Sequence, residues 1–281
     1  MAEAPSGILE DALSEAGEGI RHHSFSALNT YASICSLQYR FRYVDRLPKE
    51  RVGAALVFGI AVNDALRVID LDLAKGRTPN VGKACEVLQG SIESAYARRD
   101  LPVVSTHAET SEGLIEKGKN LIHHYLEVLP NDEVPVDLPL RFEIPLFTED
   151  GEALPRPLVG EVDRWVKDAA GQIGIVDWKT SASRWSPEKL AKDDQATTYL
   201  MGGPSVLGTK PAFFRYDLLL KTKEPRVERY YVERTERDFK RFTKKVVVAD
   251  RAIRSGVYVP NDSSFACPTC SFRNACKKWQ A

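Results

Sequence analysis

Long apolar runs are missing from this chain of 281 residues; none approaches the roughly 20 residues that a membrane-crossing helix needs. The opening, MAEAPSGILEDALSEAGEG, has neither the basic nor the apolar segment of a secretory leader and reads as an acidic tail over residues 1–23. Cysteine is scarce: five in all, too few and too unevenly placed for a secreted disulfide scaffold, and an odd count leaves one unpaired. Metal binding explains them better. Net charge is absent as well, with 39 Lys and Arg against 39 Asp and Glu, which argues against gripping nucleic acid by bulk positive charge. No GxxxxGK[ST] phosphate loop is present, so the chain carries no helicase motif of its own. These absences together describe a cytoplasmic protein with no membrane partner.

The composition that remains is globular, 43% hydrophobic and 28% charged. Charge is unevenly spread: from Lys210 onward there are 17 Lys and Arg against 8 Asp and Glu, enough for a local basic face. Residues 24–46 read as one helical segment capped by Ser24 or Ser26, with Cys35 in its middle; Val57–Lys75, Gly82–Arg99 and Ser111–Leu129 read as further helices. Alternating patterns then predict strands over Leu138–Phe147, Val159–Lys167, Gln172–Lys179, Phe213–Leu220 and Glu228–Val232. Helices are expected over Pro187–Met201, stopped by Gly202-Gly203, and over Thr235–Arg254. Without repeats or linkers, one α/β or α+β domain is the simplest architecture.

Asp168–Gln172 has the chemistry of a hairpin turn, with Gly171 suited to a left-handed position. If Asp168 pairs with Gln172, paired positions sum to 340 and Asp163 faces Asp177. Two carboxylates set opposite each other repel unless a cation neutralises them. Lys179, two residues beyond Asp177, points to the same face. Two carboxylates and a lysine suit phosphodiester hydrolysis: magnesium or manganese polarises the phosphate and activates water, and the ammonium orients that water. The carbonyl of Trp178 is a candidate further ligand, and Glu143 and Glu161 lie on neighbouring strands.

GEVDRW around Asp163, VDWKT around Asp177 and Lys179, and Gln195-Ala-Thr-Thr-Tyr199 together resemble the PD-(D/E)XK nuclease superfamily, in particular its RecB-type branch with a Q-x-x-x-Y helix. The resemblance spans Ser24 to Cys276, although residues 80–135 add no motif. It implies a restriction-endonuclease-like core, a central mixed sheet flanked by helices. A helical part (24–135) would precede a catalytic core (136–254) and a cluster-binding segment (255–281), all within a single domain, 24–281. It also implies an exonuclease acting on single-stranded DNA or DNA ends, with Gln195 and Tyr199 flanking the substrate. Partners of a helicase, recombination, DNA-repair or CRISPR-adaptation kind follow from the same likeness. One departure stands out: the branch usually has a metal-binding histidine in G-x-x-x-H, and here Gly59 is followed by Asn63. An amide oxygen is a weaker ligand, so an end-binding protein of little or no activity is the main alternative, with a restriction-type endonuclease as another.

Cys267, Cys270 and Cys276 form C-x2-C-x5-C, a spacing that keeps three sulfurs within reach of one metal centre. In AddB-type enzymes and the iron–sulfur nuclease of CRISPR adaptation, an N-terminal S-x-S-x-L-x-x-Y-x-x-C helix supplies a fourth thiolate. Ser24, Ser26, Leu28 and Tyr31 match it and Cys35 stands one residue beyond the motif's cysteine position, so the resemblance implies a structural [4Fe–4S] cluster; a zinc site also takes four thiolates. Cys85 is left over as a small apolar residue.

Overall fold

The computed structural model describes residues 21–106, 109–136, 140–162 and 164–280, so residues 1–20 of the expected tail and Asp163 lie outside the described residues, whereas His23, the tail's expected last residue, is in a strand. A two-residue strand, β1 (His23–Ser24), leads into helix α1 (Phe25–Asn29) and a π-helical turn, Thr30–Ile34. The predicted continuous helix breaks at Cys35, which is extended (φ −170°, ψ 118°); helix α2 (Ser36–Tyr39) then restarts and a second π-helical turn covers Arg40–Val44. The break has a local cause, because the Cys35 sulfur accepts the Gln38 N–H and caps the new helix, work a mid-helix side chain does not do.

After β2 (Val52–Gly53) come the long helices α3 (Ala54–Ala74) and α4 (Val81–Ala97), then β3 (Val103–Val104) and α5 (Ser111–Glu127). Their apolar positions recur at helical spacing and meet in one core: Phe58, Val62 and Leu66 of α3 against Leu88 and Ile92 of α4 and Leu121 and Tyr125 of α5. α4 and α5 approach so closely that a Cβ on Gly118 would lie 2.6 Å from Leu88 Cδ1.

Beyond them lie β4 (Val134–Pro135), β5 (Leu140–Ile144), β6 (Leu158–Val162), β7 (Arg164–Lys167) and β8 (Ile173–Ser181). The predicted single strand Val159–Lys167 is two strands in two sheets. β6 sits between β1 and β5, while β7 joins a five-stranded sheet, where it lies between β8 and β4. No periodicity betrays such a change of partner, because a strand that switches sheets keeps its alternation.

The β7–β8 hairpin has the predicted register, with Arg164 opposite Val176 and Trp165 opposite Ile175, and Gly171 at the turn has φ +76°. β9 (Phe213–Leu220) runs parallel to β8 and antiparallel to β10 (Arg226–Tyr231), so the sheet is mixed.

The predicted helix over Pro187–Met201 is two helices, α6 (Pro187–Lys192) and α7 (Asp194–Leu207). α7 runs through Gly202-Gly203 and stops at Gly208, which is left-handed (φ +68°). The glycines serve packing: a Cβ on Gly202 would sit 2.1 Å from the Phe142 ring, so only a bare backbone lets α7 lie on β5. Helix α8 (Glu236–Arg254) follows, capped by Thr235 and Asp238, and α9 (Arg273–Gln280) ends the described chain. The expected α/β fold, a mixed sheet flanked by helices, is what the chain adopts.

Candidate active site

Along β8, Ile175, Asp177 and Lys179 alternate onto one face, and Val176 and Trp178 onto the other. Asp177 is 1% exposed; an isolated carboxylate buried so deeply is costly, and its neighbours show how the cost is met. Lys179 Nζ lies 2.6 Å from Asp177 Oδ2, and the Gln195 amide donates to Asp177 Oδ1 at 3.2 Å. The same amide nitrogen is 3.1 Å from the Tyr199 hydroxyl, one turn along α7. Four of the five residues expected to carry chemistry, Asp177, Lys179, Gln195 and Tyr199, thus form one cluster. The fifth, Asp163, is outside the described residues.

Asp193, between α6 and α7, anchors Gln195. Its Oδ1 accepts the Gln195 N–H at 2.8 Å and the Tyr216 hydroxyl at 2.9 Å. Its signature, an acidic residue before a helical run, was there to be read. Arg234 carried no local signal. Its guanidinium donates to the carbonyls of Leu190 and Asp193, both at 2.8 Å, and to the Thr197 hydroxyl at 2.9 Å, tying the α6–α7 junction to the start of α8. Lys189 stands 3.9 Å from the centre of the Trp185 ring. Burial holds its ammonium below the usual lysine range, with Asp193 opposing and the nearby Lys179 charge adding to the effect.

The reverse face of the same strands holds a buried ionic layer. Arg164 and Asp70 pair at 2.7 Å with neither side chain exposed, and Arg164 lies over the Trp178 ring at 5.5 Å. The Trp178 indole donates to the Tyr125 hydroxyl at 2.9 Å, and Arg215 joins Asp217 (2.6 Å) to Glu133. Burial alone would raise the Glu133 carboxyl, but the bonds from Arg215 outweigh it and leave Glu133 below the ordinary range.

Asn63 is half-buried on α3, the helix whose Gly59 packs beside Thr180 of β8. Glu161 is engaged by Arg141 at 2.7 Å and Arg67 at 3.8 Å, and Glu143 is exposed. Among the described residues, no three His, Cys, Asp or Glu side chains are disposed to hold one metal ion. The donors that do converge are hard oxygens, a buried carboxylate and a side-chain amide, of the kind magnesium and manganese prefer.

The four expected cysteines, Cys35, Cys267, Cys270 and Cys276, line a single cavity of about 500 Å³ whose walls include Phe41, Arg273 and Lys277. Burial pushes the Cys270 thiol up, with further contributions from Cys267, Cys35 and Cys276; Cys276 and Cys267 are raised in the same way, Cys35 contributing to both. The Cys35 sulfur accepts two backbone N–H groups, from Gln38 and Asn261, each at 3.4 Å. Around it the chain ends are laced together: the Ser36 hydroxyl accepts the Val259 N–H at 2.8 Å, and the Asn261 amide donates to the Ile34 carbonyl at 2.9 Å. Cys85 packs apart from these, against the helical core.

The chain belongs to the PD-(D/E)XK nuclease superfamily, whose family model matches residues 22–277. Members typically use divalent metals and hydrolyse nucleic acid, so the chain carries the class's nuclease fold. Among solved structures, a "putative exonuclease" from Eubacterium rectale is 14% identical, with a TM-score of 0.55 over 90% of this chain and 88% of that one; it shares the fold. A second, SSO0001, is 11% identical over 82% of this chain and 87% of that one, with a TM-score of 0.36. No curated protein matches. Among the described residues, no helix is long and apolar enough to cross a membrane.

Proposed function

We propose that the chain is a magnesium- or manganese-dependent deoxyribonuclease of the RecB type, acting as an exonuclease on single-stranded DNA or DNA ends. The observation that carries this is the bond from Gln195 to both Asp177 and Tyr199, with Lys179 against the same carboxylate. Asp177, with Asp163 and the Trp178 carbonyl as the other expected donors and Asn63 as a weak one, would hold the cation. When bound, the cation supplies charge neutralisation at the phosphate and a lowered pKa for water. The chain's own groups do the positioning. Gln195 orients the Asp177 carboxylate, Lys179 places a cation where charge develops on the phosphoryl oxygens, and Tyr199 borders the substrate. Asn63, in place of the branch's histidine, favours a second reading, an end-binding protein with little activity. Purified protein incubated with labelled single-stranded DNA and manganese decides between them: metal-dependent shortening is expected, and an inert wild type would leave only the binding protein.

The cysteine cavity fits a [4Fe–4S] cluster held by Cys35, Cys267, Cys270 and Cys276. It is wide enough for a polynuclear centre, basic groups line it, and two N–H groups reach one of its sulfurs. Its duty would be to staple the chain ends into one domain spanning 24–281, a reading supported by the bond of His23 to Asp250 of α8 at 3.0 Å. Anaerobically purified protein is expected to be brown and to carry about four irons per chain, and Cys35→Ser to lose the colour. A colourless, zinc-loaded protein would refute the cluster. A cytoplasmic location and a helicase, recombination or CRISPR-adaptation partner belong to the same proposal.

Arg234 tests the positioning argument. Arg234→Met removes the tie between α8 and the α6–α7 junction and is expected to lower stability by about 2 kcal/mol. It should also slow kcat about tenfold with little change in KM. Denaturant unfolding and steady-state cleavage measure the two.

A further inference from the structure

Helix α8 turns one face to solvent. Arg237, Arg241, Lys244, Val248 and Arg251 follow one another a turn apart, all exposed, over a length of about 21 Å. Four of the five are cations. The exception is Val248, 59% exposed, an aliphatic residue where a merely solvated face calls for a polar one. It borders a groove of about 640 Å³ between α8 and the π-helical turn after α1; Ala32, Val248 and Ala252 give it apolar walls, and Arg241 and Lys244 line it as well. Two carboxylates stand near. Glu149 is 3.6 Å from Lys244 with both ends exposed, a contact of little strength, and Asp194 is taken by Lys245 at 2.7 Å. The stripe therefore stays positive.

The groove reaches the start of the helix that carries two residues of the candidate active site. Asp194, which lines it, is the first residue of α7, and the next residue is Gln195, bonded to Asp177. We propose that this groove is the track on which the single-stranded DNA substrate lies beside the catalytic face. Its phosphates follow Arg237, Arg241, Lys244 and Arg251, and its bases rest on the apolar walls around Val248. Cations beside an apolar floor are what a single strand needs, since it offers phosphates on one side and unpaired bases on the other. The inference rests on the nuclease reading for its substrate class.

The test reads binding apart from cleavage. A labelled oligothymidylate is titrated, by fluorescence anisotropy in chelator, with wild type and with the triple variant Arg237→Ala/Arg241→Ala/Lys244→Ala, over a series of salt concentrations. Each phosphate contact on a single strand contributes about 0.7 to the slope of log K against log salt, so the triple variant should be shallower by about 2. A control with two exposed cations removed from outside the groove, Lys75→Ala/Lys83→Ala at the end of α3 and in α4, should keep the wild-type slope. Val248→Glu, an exposed change that removes no core contact, should weaken binding about tenfold. A wild-type slope and affinity in the triple variant would overturn the track. So would displacement of the oligonucleotide by polyglutamate, or by duplex DNA, as readily as by unlabelled oligothymidylate. Because no cleavage occurs in chelator, a protein that binds through the groove yet never cuts would sink the nuclease reading and leave the track standing. Cutting with an unchanged salt slope would do the reverse.

Discussion

Replacing Lys179 by alanine is expected to lower DNA cleavage by about 10²–10³-fold, the effect of deleting one preorganised group that stabilises developing charge. Asp177→Asn should fall at least as far, because it removes the charge that both Lys179 and the bound cation answer. The two variants separate by their metal dependence. With Lys179→Ala the carboxylate remains, so the manganese concentration giving half-maximal rate should shift little. With Asp177→Asn it should rise by an order of magnitude or more. The geometry behind this is compact: Lys179 Nζ is 2.6 Å from one Asp177 oxygen and Gln195 is 3.2 Å from the other, so the carboxylate, itself only 1% exposed, is held at both atoms. Manganese titrations of the initial cleavage rate on a single-stranded oligonucleotide measure both effects. A Lys179→Ala enzyme with the wild-type rate would remove the lysine from the chemistry.

Much of this site was legible in the chain because its parts obey local rules. The hairpin register follows from one turn: Gly171 takes the left-handed position its sequence offered, and Arg164 then falls opposite Val176 as the count requires. Gln195 and Tyr199 meet because residues four apart share a helical face. What stayed hidden is set by partners far along the chain. Gly202-Gly203 look like a helix stop, yet Phe142 on β5 needs the bare backbone of Gly202. Cys35 looks mid-helical, yet its sulfur is drawn to Asn261 and caps a new helix. β6 and β7 look continuous, yet they pair in different sheets. Arg234 looks like a loop arginine, and its three bonds reach back across the α6–α7 junction.

The reverse face of the catalytic strands yields the second large effect. Asp70→Ala is expected to destabilise the fold by about 3 kcal/mol, the lower end of the range for breaking a buried ion pair. It strands the Arg164 guanidinium, which has no exposure and pairs with Asp70 at 2.7 Å; Glu133 at 3.6 Å offers only partial compensation because Arg215 already engages it. The damage should reach the front face. Arg164 is packed over Trp178, and Trp178 lies between Asp177 and Lys179 on β8, so a shifted guanidinium moves the strand that carries both. Replacing the pair together, Asp70→Leu with Arg164→Met, removes the stranded charge and should recover most of the lost stability, since an apolar pair of similar volume escapes the desolvation cost. Recovery of the unfolding midpoint in urea without recovery of cleavage would show that the ion pair holds the catalytic strand in register. Recovery of both would reduce the pair to a filler of the core. The first outcome is expected, because Tyr125, Asp217 and Arg215 bond onward from Trp178 as one layer, and a methionine offers that layer neither charge nor a flat cationic face.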